Sequence, residues 1–136
     1  MHSSPRARVT LAGVTLVALC AVAITAARAA SVLDFDVWMR AIDKHSVDVQ
    51  KNIDARKLDA ATADAQELAR LYGLMEAFFA ADGHVQDAVD MSRSGKELAA
   101  SIPTALAAQD YDTASKAAVT LAHACNDCHD AHKPFQ

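Results

Sequence analysis

The stretch FDVWMRAIDKHSVDVQKNI, residues 35–53, decides the fold. Its apolar residues Phe35, Met39, Ile42, Val49 and Ile53, completed by Ser46, fall alternately four and three apart. That spacing is the seam of an α-helix packed lengthwise on its neighbours, and it predicts a helix from about Phe35 to Ile53 with Asp34 or Asp36 as cap. Outward from it, the chain beyond residue 29 is rich in Ala, with Leu, Glu, Gln, Lys and Arg, and has three glycines and two prolines. No segment alternates with the period of two that a strand requires, so the expected class is all-α.

Three further helices follow from the same periodicity. A polar connection, Asp54 to Asp59, leads to a second helix over about Thr62–Ala81. Its inward residues are Leu68, Leu71, Tyr72, Met75, Phe78 and Phe79, and Asp82-Gly83 is its stop. A third runs from about His84 to Ala108 on Val85, Val89, Leu98, Ile102 and Leu106, with Pro103 expected to bend or divide it because proline lacks an amide donor. Gly95, with Ser92 and Ser94, either lets another helix come close or is simply tolerated. The fourth begins at Asp110 or Asp112 and ends by Lys133, since Pro134 disfavours helical geometry in the residue before it. Four helices of similar length imply an antiparallel four-helix bundle, the longer first connection leaving a crossover open.

The opening MHSSPRARVTLAGVTLVALCAVAITAARAAS has the plan of an export signal: Arg6 and Arg8, an apolar stretch from Val9 to Ala26, then Ala27-Arg28-Ala29. Cleavage is expected after Ala29, making residues 1–29 a signal peptide and 30–136 the bundle domain, located in the periplasm. The alternative is an uncleaved anchor, for which the stretch is close to the lower limit of roughly 17 residues. Cys20 leaves with the signal. The remaining 107 residues suffice for one domain with one core. They carry ten basic and seventeen acidic side chains, a formal charge of −7. That balance lacks the basic footprint of a nucleic-acid binder and suits partner proteins with basic docking surfaces.

Chemistry is concentrated in His123-Ala124-Cys125-Asn126-Asp127-Cys128-His129-Asp130-Ala131-His132. Ala118, Leu121, Cys125 and Cys128 fall three and four apart, so both sulfurs point to the inward side of the fourth helix. Two cysteines three apart close too small a loop to staple a domain. Zinc would need four ligands converging from spaced elements, and His123 with His132 gives no finger spacing. A redox dithiol sits at a helix start in a strand–helix–strand unit, which is lacking here. Cys125-x-x-Cys128-His129 is, however, the haem c attachment sequence: two thiols become thioethers on the haem vinyl groups, and the adjacent imidazole is the proximal iron ligand.

On these residues the chain resembles the class II c-type cytochromes, the cytochrome c prime family of exported four-helix bundles with haem near the C-terminus. The carriers are Cys125 to His129, the link Gln109-Asp110-Tyr111-Asp112, and Trp38-Met39-Arg40 on the first helix. Where the family often has an aromatic and an arginine after the haem motif, this chain has His132 and Lys133. The resemblance implies one covalent haem c on Cys125 and Cys128, iron held by His129, and Met39 as distal ligand in the low-spin branch. It also implies that a homodimer through the first two helices can form. Met75, Met91 and His45 are second choices as ligands; His45, His84, His123 and His132 read as surface or link residues, and Trp38, Phe35, Tyr72, Phe78 and Phe79 as packing.

The expected function is a periplasmic electron carrier, not an enzyme, since no Ser-His-Asp set or carboxylate pair is identifiable. A five-coordinate haem protein that binds nitric oxide or carbon monoxide is the alternative. A haem-free helical interaction module is the third.

Overall fold

The computed structural model describes residues 30–83 and 85–132. The expected signal peptide, His84 and Lys133 lie outside them. The described chain forms α1 (Val32–Asp54), α2 (Leu58–Asp82), α3 (Gln86–Ala107) and α4 (Tyr111–Ala131), with no strand among the described residues.

The helix ends correct several expectations. Ser31, not Asp34 or Asp36, caps α1: its hydroxyl accepts from the Asp34 amide at 3.2 Å, and the Asp34 carboxylate accepts from the Ser31 amide at 2.8 Å. This reciprocal box satisfies two amides that would otherwise lack acceptors, and it starts the helix three residues before Phe35. α2 also starts early, at Leu58, because the good helix formers ahead of Thr62 continue the periodicity and bury Ala61. Its end is as expected: Gly83 takes the left-handed conformation, φ 70°, that closes a helix without a Cβ clash. At α4, the Asp110 carboxylate accepts from the Thr113 amide at 3.0 Å. α3 runs unbroken through Pro103, which neither divides nor ends it. The proline stands near the C-terminal end, and the fully buried Ile102 and Leu106 on either side hold the helix where one backbone hydrogen bond is missing.

Each connection is three residues long: 55–57, 83–85 and 108–110. Such a link reaches only about 10 Å, whereas helices of 21 to 25 residues are roughly 30–37 Å long. A crossover between α1 and α2 is therefore ruled out, and successive helices run antiparallel. α1 packs on α2 and α4, and α3 packs on α2 and α4, which closes a four-helix ring.

The core follows the seam that opens the sequence: Phe35, Ile42, Val49 and Ile53 are buried, and Met39 is partly so. Leu68, Leu71, Tyr72 and Met75 meet them from α2. At one end Phe35 stacks on Phe78, ring centroids 4.9 Å apart, with Phe79 and Trp38 edge-on around them. α3 turns a stripe of small residues inward, Ala88, Ser92, Gly95 and Ala99. This answers the question posed by Gly95: a Cβ there would lie 2.5 Å from Cε1 of Tyr72, so glycine makes room for the α2 ring.

Candidate functional site

An antiparallel ring brings the start of α1, the end of α2, the start of α3 and the end of α4 to one end of the bundle. A cleft opens there. Met39 and Ile42 line it from α1, Tyr72 and Met75 from α2, Met91 and Ser92 from α3, and Ala124, Cys125, Cys128 and His129 from α4. Cys125 and Cys128 are half-buried free thiols, while His129 is exposed at the rim. The space left free in the cleft is about 20 Å³. Every methionine and cysteine among the described residues lines it.

Cys125 is the better held of the two thiols. Its sulfur lies 3.4 Å from the Leu121 carbonyl, to which the S–H donates, and 3.3 Å from the Tyr72 hydroxyl, which donates to the sulfur. Burial, and next the Cys125 sulfur, push the Tyr72 phenol well above the ordinary range, so it stays a donor at neutral pH. Burial also raises the Cys128 thiol, with smaller contributions from Cys125 and Asp87. Ser92 gives its hydrogen to the Ala88 carbonyl at 2.7 Å.

The structure thus places the four residues singled out in the sequence, Met39, Cys125, Cys128 and His129, on one cleft. It places Met75 and Met91 there too, so position alone does not set Met39 apart. His45 is elsewhere: its Nδ1 is 2.8 Å from Asp64, whose other oxygen accepts from Asn52, tying α1 to α2. His123 is exposed. His132 is less of a surface residue than expected, with Nε2 2.8 Å from Asp87 Oδ2 in the first turn of α3. Tyr72, read as packing alone, has a specific partner in Cys125. The sequence signal for it was a hydroxyl on an otherwise apolar stripe, which when buried needs a hydrogen-bond partner.

Among the described residues no three His, Cys, Asp or Glu side chains come together as a group able to hold a metal ion. No family model, no curated protein and no solved structure matches the chain. The chemistry of the donor set nonetheless suits a covalently held haem: two thiols three residues apart face one cleft, and an imidazole one turn beyond Cys125 stands at its rim. That free space accepts little more than one water and is far below the roughly 300 Å³ of a small ligand pocket. Cys125 and Cys128 would hold such a group and His129 would ligate its iron, but the cleft would have to widen to admit it.

Proposed function

We propose that the chain is a c-type cytochrome of the electron-carrying kind, exported to the periplasm, with one haem c held by Cys125, Cys128 and His129. Met39 is the proposed distal ligand. The observation that carries this reading is the meeting, on one cleft, of the attachment motif of α4 with a methionine of α1. Bound there, haem iron supplies one-electron chemistry, and methionine–histidine ligation raises its reduction potential.

The chain's own residues supply the rest. Before attachment Tyr72 and the Leu121 carbonyl orient the thiol of Cys125, and Ile42, Met75 and Ala124 give the cleft an apolar wall that limits access of water. The acidic balance of residues 30–136 favours encounter with basic partner surfaces. None of the described helices is long and apolar enough to cross a membrane.

Optical spectroscopy tests the proposal on protein expressed with the haem c attachment machinery. The expected product carries haem that survives acid–organic extraction and shows a low-spin spectrum with a thioether-to-ferric band. Cys125→Ala/Cys128→Ala removes the covalent haem, and Met39→Ala removes the thioether band. A high-spin spectrum unaffected by Met39→Ala would reject Met39 and favour gas binding at an open sixth position. Wild-type protein without covalent haem would reject the whole reading.

A further inference from the structure

All five sulfur-bearing side chains of the described residues, Met39, Met75, Met91, Cys125 and Cys128, converge on a single cleft from four different helices. An inward methionine is ordinarily a flexible filler of core gaps, but here all three of the described ones share one cleft with both thiols. Together they line one partly open cleft with about 20 Å³ of free space, room for about one water-sized sphere. No Asp, Glu, Lys or Arg lines the cleft, and the other walls are Ile42 and Ala124, the Tyr72 ring, Ser92 and the rim His129.

This combination selects a ligand by chemistry. Hard cations such as magnesium or calcium require carboxylate or carbonyl oxygens, which the lining does not offer. Soft thioether and thiolate sulfur favours the monovalent d¹⁰ ion Cu(I) over oxygen-seeking metals. Charge points the same way. A divalent ion bound to neutral thioethers would leave net charge in an apolar cleft, whereas one thiolate neutralises a monovalent ion.

We propose that the haem-free chain binds one Cu(I) in this cleft, through the thioethers of Met39, Met75 and Met91 and one thiolate of the Cys125–Cys128 pair. As the S–Cu bond forms, the thiol proton passes to water and no electron is transferred. The site shares Met39, Cys125 and Cys128 with the proposed haem site, but copper binding by the haem-free chain does not require that reading to hold. Thioether formation on the cysteines consumes part of the copper site, so the two occupants exclude one another.

The test uses the full chain made in cells without the haem attachment machinery, kept reduced under argon and titrated into a solution of the Cu(I)–bicinchoninate complex. The wild type is expected to withdraw copper up to one equivalent and then stop. Replacing Met39, Met75 and Met91 together by leucine, which nearly conserves volume, is expected to weaken binding by roughly tenfold or more. Failure of the wild type to withdraw copper overturns the proposal. So does a triple variant as tight as the wild type, because the two thiols alone would then be the binding group. Circular dichroism is recorded on each sample. If the triple variant is not helical, Met91→Leu alone decides: weakened binding supports the site, and unchanged binding overturns it. None of these outcomes bears on the optical test for covalent haem, which uses a separate preparation.

Discussion

Leu121→Ala lowers the free energy of unfolding by about 2–5 kcal/mol, the cost of removing a fully enclosed leucine and leaving part of its cavity unfilled. The reason lies in what else α4 buries. Its other buried residues are Ala114, Ala117 and Ala118, so Leu121, at 0 % exposure, is the one large anchor of that helix in the core. A domain of this size has only about 5–15 kcal/mol of net stability, so a single side chain holds down a large share of it. Chemical denaturation should show a lower midpoint, and hydrogen exchange should rise first in residues 121–131, which carry the thiols and His129. Leu121→Met, nearly equal in volume, should cost less than about 1.5 kcal/mol. A Leu121→Ala protein within experimental error of the wild type would show that α4 is held by something other than this contact.

Gly95→Ala has the second large effect, and its sign is a contest between two quantities. Alanine in a helix interior is worth about 1 kcal/mol over glycine. Against that, the new methyl would stand 2.5–2.9 Å from three carbons of the Tyr72 ring, itself buried and hydrogen-bonded to Cys125. The ring has little space to retreat, and overpacking of this kind typically costs about 1–3 kcal/mol. The net expectation is destabilisation, with the Tyr72–Cys125 hydrogen bond stretched or lost. A double-mutant cycle with Tyr72→Leu isolates the cause, since removing the ring should turn the alanine neutral or stabilising. If Gly95→Ala stabilises the wild-type background, α2 and α3 are not held at the separation seen here.

The helices and the large core residues were legible in the chain because their signal is local. Phe35, Ile42, Val49 and Ile53 mark their own buried face by spacing alone, and Asp110 and Gly83 mark helix ends by capping chemistry. What escaped depends on neighbours. Ala61, Ala65, Ala88 and Ala99 are buried, yet alanine is common on both faces of a helix and so carries little periodic information. Ser31 was missed as a cap because Asp34 also suits that role, and only the reciprocal bonds separate cap from third helical residue. Pro103 misled because the rule for proline describes an isolated helix, while Ile102 and Leu106 anchor this one.

At the site, the motif Cys125-x-x-Cys128-His129 was readable as residues, and helical spacing put both sulfurs on the inward side. The companionship of Met39, Met75 and Met91 was not readable. It depends on the rotational phase of three separate helices and on the antiparallel order imposed by three-residue links. The bond between Tyr72 and Cys125, fifty-three residues apart, lies equally beyond local pattern.

The aromatic cluster at the cleft end makes the molecule self-reporting. Trp38 is the chain's one tryptophan, set edge-on to Phe78 and adjacent in sequence to Met39 on the cleft wall. Its emission therefore comes from a single known place. A visible-absorbing group seated at the mouth of the cleft will quench that light, and parting of α1 from α2 will shift it to the red, so loading and opening can each be followed without attaching a dye.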